Sequence, residues 1–234
     1  MSVPVIALDG PGGVGKGTLS RMLARDLGWH LLDSGAIYRA LALAAGEAGL
    51  LEGAEAGTAG PRLVRLAGEL PLRFEEAGET TRVYLGGRPV DAALRTAETG
   101  RQASVLAALP AVREALLQRQ RDFRQAPGLV ADGRDMGTVV FPDAPLKVFL
   151  TASPGERARR RLNQLKEQGS DATLAAVEAE IAGRDRRDRE RSAAPLEPAA
   201  DARILDSSGQ DVADTYRVLA GWAVSVFGEI FHRQ

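Results

Sequence analysis

The sequence predicts an α/β protein built on a doubly wound, parallel sheet of five strands. Five short apolar segments have the composition of buried strands: residues 3–8, 30–33, 129–132, 146–150 and 203–205. Segments with the helical spacing of apolar residues lie between them, and strands that alternate with helices favour a parallel sheet with right-handed crossovers. A chain of 234 residues is long enough to bury one substantial core of this kind.

The apolar spacing also predicts where the helices lie. The first helix is expected to end at Gly28, because glycine is common directly after the last helical residue. Pro154 fits the first turn of a later helix, where its missing N–H is not needed. The predicted helices span residues 19–27, 37–45, 103–109, 111–123, 154–168, 174–191 and 212–227.

The alternation of strands and helices is interrupted between about residues 46 and 100. This segment is rich in Gly, Ala and Glu, and only residues 70–74 and 82–85 have a strand-like pattern, the second followed by a Gly-Gly turn signal. We expect a small inserted subdomain here. The core of a single domain would then consist of residues 1–45, 101–153 and 195–234.

Composition excludes several classes of protein. The formal net charge of −1 provides no basic field for a nucleic-acid polymer. The chain has no cysteine, which excludes disulfides and Cys-based metal or redox sites and fits a cytoplasmic location. The N-terminal segment MSVPVIALDG has neither a basic leader nor a long apolar run, so we expect no signal peptide and no membrane span.

The strongest motif is a glycine-rich loop between the first predicted strand and helix. It reads GPGGVGKGT and consists of Gly10, Pro11, Gly12, Gly13, Val14, Gly15, Lys16, Gly17 and Thr18. Glycines allow successive N–H groups to point into one cavity, and the helix that follows directs its dipole to the same place. Lys16 can reach the β- and γ-phosphates of ATP, while the Thr18 hydroxyl is placed near the Mg²⁺ that accompanies the nucleotide, without a dedicated protein metal site. This context predicts a P-loop NTPase-type fold.

Two polar segments follow strands whose carboxyl ends meet at the same edge of a parallel sheet, where ligands bind. The first, DSGAIYR, places Arg39 in the crevice beside the phosphate loop. The second, DGRDMGT, offers Arg134 as a planar fork for a phosphate and Asp135 as an acceptor for an exocyclic amine, a pairing that marks cytosine. Surface positions for these residues are the alternative that the local sequence leaves open.

A dense run of charge, RDRRDRER, covers residues 184–191. On a helix, Arg184, Arg187, Asp188 and Arg191 lie on one face. A solvated helix with ion pairs is one interpretation. The other, which we favour, is an arginine-bearing lid that closes over phosphates and excludes water. On the preceding helix, Arg157 is predicted to contact ATP, and most of its neighbouring arginines to face solvent.

Five segments together resemble the bacterial cytidylate kinases, which are P-loop nucleoside monophosphate kinases. They are GPGGVGKGT, LLDSGAIYRALA, RQASVLAALPAVREALLQRQR, GLVADGRDMGTVVFPDA and RDRRDRER, and the similarity extends over nearly the whole chain. The resemblance implies phosphoryl transfer from MgATP to CMP or dCMP by a cytoplasmic monomer, without nucleic-acid or membrane partners. It also implies a helical lid over about residues 154–194 and an acceptor-binding role for the insert of about residues 46–100.

The resemblance further implies roles for individual residues. Ser104, Arg113 and Asp135 would recognise the cytosine ring, and Arg39, Arg134 and Arg191 the acceptor phosphate. Arg184 and Asp188 would contact the pentose, with Ser34 and Tyr38 also on the acceptor side. Lys16, Arg134, Arg184 and Arg191 are the expected catalytic cations.

Two other functions remain open from the sequence. One is a P-loop kinase for UMP, AMP or a small non-nucleotide acceptor. The other is a GTP-binding switch, which normally carries an Asn-Lys-x-Asp motif for guanine. The only asparagine in this chain, Asn163, is followed by Gln164, so that motif is absent.

Overall fold

The computed structural model describes residues 2–77, 80–167 and 169–228. Its strands are β1 (Val5–Asp9), β2 (His30–Asp33), β3 (Leu72–Ala77), β4 (Thr80–Leu85), β5 (Arg88–Pro89), β6 (Leu129–Asp132), β7 (Leu146–Thr151) and β8 (Arg203–Asp206). Its helices are α1 (Lys16–Leu27), α2 (Ser34–Glu47), α3 (Leu51–Glu55), α4 (Pro61–Gly68), α5 (Asp91–Leu94), α6 (Ala97–Leu106), α7 (Pro110–Arg121), α8 (Pro154–Glu167), α9 (Leu174–Glu190) and α10 (Val212–Phe227). A π-helical turn covers Met136–Val140.

The described residues form two compact units. The first lies within residues 1–33, 121–190 and 194–234 and contains a five-stranded sheet in the order β2-β6-β1-β7-β8. Every strand pair in this sheet is parallel, with Ile6 opposite both Val130 and Leu146. The predicted fold class is therefore confirmed, and all five predicted strands are present.

An apolar core packs against this sheet. It joins side chains of β1 and β7, such as Leu8 and Val148, to Leu19 and Leu23 of α1 and to Leu219 of α10. These side chains are at most 2% exposed, and full burial of each contributes about 1.5–3 kcal/mol. At the end of α1, Gly28 has the left-handed φ of 61° expected of a glycine at that position.

The second unit lies within residues 34–120 and 191–193. It contains the antiparallel sheet β3-β4-β5, and α2 packs against α4, α5 and α6. The short helices α3, α4 and α5 were not predicted, although Pro61 at the first turn of α4 is a recognisable start signal. The helix predicted at 103–109 begins earlier, because the Thr96 side chain accepts a hydrogen bond from the N–H of Thr99 at 3.2 Å and caps α6.

The boundaries assigned to the insert and the lid stay predictions. In the part of the chain that the structure describes, no helix is both long enough and apolar enough to cross a lipid bilayer.

Candidate functional site

The glycine-rich loop joins β1 to α1 and has the geometry of an anion cradle. Gly10, Gly13 and Gly15 have φ values of 142°, 81° and 95°, which residues with side chains rarely adopt. A Cβ at Gly10 would lie 2.1 Å from the carbonyl oxygen of Leu150, so this position also lacks the space for one. Gly15 is the N-cap of α1 and makes no side-chain cap bond to the first turn of α1, a position where anions bind.

Lys16 lies at the base of this loop and is 5% exposed. Its Nζ donates hydrogen bonds to the carbonyl oxygens of Gly10 at 2.8 Å and Pro11 at 2.9 Å, and lies 4.0 Å from Oδ1 of Asp132. Burial, reinforced by the nearby guanidinium of Arg134, lowers the pKa of Lys16 to about 7. A phosphate at the loop would favour the charged form of Lys16, because an opposite charge raises the pKa of an ammonium group.

Two predicted arginines lie beside the same loop. A Cβ added at Gly12 would be 3.6 Å from a terminal nitrogen of Arg134 and 3.7 Å from one of Arg184. Arg134 donates from Nε to Oδ2 of Asp188 at 3.0 Å. Burial opposes its charge, but the carboxylates of Asp188, Asp132 and Asp9 together outweigh burial and raise the pKa of Arg134. The structure thus brings Lys16, Arg134, Arg184 and Asp188 together at the loop.

The segment after β6 is anchored by a carboxylate that the sequence did not single out. Both oxygens of Asp9 accept hydrogen bonds, from the N–H groups of Met136 and Gly137, each at 2.8 Å. Burial raises the pKa of Asp9 to about 6 despite these bonds. Because Asp135 directly precedes Met136, Asp9 fixes the backbone next to the residue predicted to recognise cytosine. The signal available in the sequence was a carboxylate at the end of a buried strand, immediately before Gly10.

Arg157, predicted to contact ATP, is 2% exposed. Its guanidinium forms two hydrogen bonds with Asp185, at 3.0 and 2.6 Å, and donates to the carbonyl oxygen of Gly12 at 3.3 Å. A Cβ at Gly13 would lie 3.2 Å from the Cβ of Arg157, so the side chain packs directly on the loop. Its role toward ATP stays a prediction, and Asp185 is a partner that the charge pattern did not identify.

The remaining acceptor-side residues belong to the second unit. Ser34, Tyr38 and Arg39 lie on α2, Ser104 on α6, Arg113 on α7, and Arg191 directly follows α9. All of them except the half-buried Arg39 are at most 9% exposed. The structure places the guanidinium carbon of Arg113 6.0 Å from the ring centre of Tyr38, and an Arg113 terminal nitrogen donates to the carbonyl oxygen of Ala107 at 3.3 Å. Buried polar side chains at this density are unusual unless they serve a ligand or a network.

The side-chain oxygens beside the loop are suitable ligands for a magnesium ion that arrives with its nucleotide. Thr18 is exposed on the first turn of α1, and a Cβ at Gly17 would lie 3.5 Å from Oδ2 of Asp132. Mg²⁺ prefers oxygen ligands and usually takes only one or two from protein, with the others from phosphates and water. Among the described residues, no group of three or more His, Cys, Asp or Glu side chains could hold a metal by itself.

Comparison with known proteins identifies the family. The family model described as cytidylate kinase matches residues 6–220, which covers the phosphate loop, the segment after β6 and the charged helix α9. This chain belongs to the cytidylate kinase family. The resemblance inferred from the sequence is thereby confirmed.

Individual cytidylate kinases are similar over almost their entire length. The cytidylate kinase of Photobacterium profundum is 57% identical over 210 residues, which cover 89% of this chain and 90% of that protein. The cytidylate kinase of Methylococcus capsulatus is 56% identical over 217 residues, 93% of this chain and 95% of that protein. That of Aeromonas hydrophila is 51% identical over 227 residues, 97% and 96% respectively.

Proposed function

We propose that this chain transfers the terminal phosphoryl group of ATP to CMP or dCMP and forms ADP with CDP or dCDP. Membership of the cytidylate kinase family supports the reaction class and the acceptor. The single observation that carries the proposal is the convergence of Lys16, Arg134 and Arg184 on one glycine-rich loop. A buried cluster of cations with N–H groups at a helix N-terminus is suited to polyphosphates.

The chemistry requires positioning and charge rather than a general base. The 5′-phosphate oxygen of the acceptor is already anionic near neutral pH, so it can attack the γ-phosphorus in line with the departing ADP. The barrier comes from bringing two polyanions together and from charge that spreads over the transferred phosphoryl group. Lys16 and the loop N–H groups would hold the donor phosphates, while Arg134 and Arg184 neutralise the transferring group. Magnesium supplies further charge neutralisation across the donor phosphates when it is bound.

Acceptor recognition is proposed residue by residue. Asp135, with Ser104 and Arg113, would recognise the cytosine ring. The acceptor phosphate would bind to Arg39, Arg134 and Arg191. The pentose would contact Arg184 and Asp188, and acceptor binding would be completed by Ser34 and Tyr38.

Three further features belong to the proposal. We assign acceptor binding to about residues 46–100 and a lid to about residues 154–194, whose closure would exclude water that otherwise hydrolyses ATP. The lack of cysteine supports a reducing, cytoplasmic location. We expect the working form to be a monomer, which sedimentation of the purified chain can test.

A coupled assay of ADP formation tests the proposed reaction. CMP, dCMP, UMP, AMP and GMP are compared as acceptors with MgATP, and ATP is then compared with GTP as donor. We expect kcat/KM to be highest for CMP or dCMP with ATP. Equal or faster turnover of UMP or AMP would overturn the acceptor assignment, and a preference for GTP would overturn the assignment of the donor.

A further inference from the structure

Two residues with no assigned role hold the phosphate loop through the carbonyl oxygen of Val14. Ser207, which directly follows β8, donates from Oγ to the carbonyl oxygen of Val14 at 3.1 Å. Arg160, on α8, donates to the same carbonyl oxygen at 3.5 Å and to Oγ of Ser207 at 3.1 Å. Neither residue stands in a motif of the sequence, and both contact the loop through its backbone alone.

The hydrogen-bonding capacity of Ser207 favours the bond to Val14. A hydroxyl has one proton, and Oγ of Ser207 already accepts from Arg160. Val14 at 3.1 Å and Thr151 at 3.2 Å are the two carbonyl oxygens that the proton can reach. The Thr151 oxygen already accepts from the N–H of Ser207 at 2.9 Å, a much closer donor than the Arg160 nitrogen that lies 3.5 Å from the Val14 oxygen. Since Ser207 is 2% exposed, water does not replace these partners.

Arg160 fixes the position of this serine. Its second terminal nitrogen donates to the carbonyl oxygen of Ser207 at 2.6 Å, so one guanidinium binds both the backbone and the side chain of the same residue. Its Nε donates to Oε1 of Glu156 at 3.0 Å, one helical turn earlier. The guanidinium is therefore held from both sides and cannot reorient without breaking several bonds.

The bond to Val14 determines the direction of an N–H group in the loop. The Val14–Gly15 peptide is trans and planar, so its C=O and N–H point in opposite directions. The orientation of this peptide depends on ψ of Val14 and φ of Gly15, and glycine tolerates a wide range of φ. Hydrogen bonds to the Val14 oxygen therefore restrain the angle of the Gly15 N–H. Arg157 provides the same kind of restraint at the Gly12 oxygen.

We propose that Ser207 and Arg160 are positioning residues for the donor nucleotide. They hold the Val14 carbonyl pointing away from the donor phosphates and so direct the Gly15 N–H toward them. The inference rests on the proposed function only in taking ATP as the ligand of this loop. Without the restraint, part of the donor's binding free energy is spent on ordering the peptide, so ATP affinity falls while CMP affinity is retained.

The experiment compares two variants with two matched controls. Ser207→Ala and Arg160→Met remove the restraint. Ser208→Ala removes a hydroxyl that accepts from the N–H of Ser153, and Arg159→Met removes a side chain that is 67% exposed. ATP affinity is measured by calorimetry without acceptor, KM for ATP and CMP by the coupled assay, and folding by urea unfolding.

We expect Ser207→Ala and Arg160→Met to weaken ATP binding about 5- to 20-fold, the effect of losing one or two buried hydrogen bonds. CMP KM should stay within about twofold, and both controls should match the unsubstituted protein. Unchanged ATP affinity in a folded Ser207→Ala protein, or an equal rise in both KM values, overturns the proposal. If Ser207→Ala does not unfold cooperatively, Arg160→Met carries the same test. Because the calorimetry needs no turnover, a protein that binds ATP but fails to phosphorylate CMP refutes the proposed function alone.

Discussion

Oδ2 of Asp188 accepts a hydrogen bond from Nε of Arg134 at 3.0 Å, although the two residues are 54 positions apart in the sequence. Asp188 is 5% exposed, so water competes little for this bond. The pair joins α9 to the segment that follows β6 and leaves a terminal nitrogen of Arg134 beside Gly12 of the phosphate loop. Asp188 therefore orients the guanidinium that the proposed reaction needs.

The first prediction concerns this pair. Asp188→Asn keeps the volume but removes the charge that fixes Arg134, so we expect kcat/KM for CMP to fall about 10- to 100-fold. Glu190→Gln, an exposed carboxylate on the same helix, is the matched control and should leave kinetics unchanged. Steady-state kinetics measure both. If the two variants behave alike, Asp188 does not orient Arg134 for catalysis.

Removal of Lys16 should separate activity from stability. We expect Lys16→Met to lower kcat at least about 10³-fold, because a preorganised charge at the β- and γ-phosphates of the donor is lost. The same change should raise the free energy of unfolding at pH 7. Burial lowers the pKa of Lys16 from its ordinary value of 10.5 to about 7, so folding opposes its protonation. Lys166→Met, at an exposed position, is the control for urea unfolding and kinetics. A loss of stability in Lys16→Met would contradict this account.

The central strands β1 and β6 were predictable because they are buried along almost their whole length. β1 is apolar over four residues and β6 over three before each ends in an aspartate, a pattern typical of central parallel strands. β7 also reads as a strand, although Lys147 interrupts its apolar run. The phosphate loop was predictable because its glycines and Lys16 are adjacent in the sequence. Local patterns suffice where a function depends on neighbouring residues.

Residues that act through distant partners could not be found in this way. Asp9 bonds N–H groups 127 and 128 positions away, and Ser207 bonds a carbonyl 193 positions away. A single polar residue at the end of a strand carries no periodic signal, so only the folded chain shows what it contacts. Ser104 and Arg113 were named through the family resemblance, since on pattern they are ordinary helix residues.

Asp9 should give the free energy of unfolding a distinct dependence on pH. Burial raises the pKa of Asp9 from 3.8 to about 6, so the folded state binds more protons than the unfolded state between these values. Its contribution to stability is therefore present below about pH 4 and is lost as the pH rises through 6, by up to about 3 kcal/mol. The stability difference between the unsubstituted protein and Asp9→Asn should shrink by that amount from pH 4 to pH 7.

Asp201→Asn is the control with the opposite sign. The hydrogen bond from Lys147 lowers the pKa of Asp201, so its contribution to stability is present above its ordinary pKa and is lost as the pH falls. Urea unfolding at several pH values measures both variants. The assignment for Asp9 is wrong if its pH dependence runs in the same direction as that of Asp201.

Asp135 should determine which base is accepted. It is 4% exposed, and a buried carboxylate accepts from the exocyclic amine of cytosine but has no donor for the oxygen that uracil carries there. We expect Asp135→Ala to lower kcat/KM for CMP about 10²-fold while KM for ATP changes less than about threefold. Asp122→Ala, an exposed aspartate, is the control. Unaltered CMP kinetics in Asp135→Ala would remove this residue from base recognition.

The buried pair of Arg157 and Asp185 should matter for stability mainly because neither charge is left unpaired. The attraction between the two charges should matter less. Asp185→Leu leaves a guanidinium that is 2% exposed without its carboxylate, so we expect a loss of about 3–5 kcal/mol in the free energy of unfolding, and a similar loss for Arg157→Met. The double variant should regain most of it, because two apolar side chains leave no unpaired charge in the core. The exposed pair of Arg217 and Asp214, whose side chains are 76% and 55% accessible, should lose less than about 1 kcal/mol under the same substitutions. Urea unfolding gives all of these values, and losses that simply add in the Arg157/Asp185 double variant would show that the two side chains stabilise the fold independently.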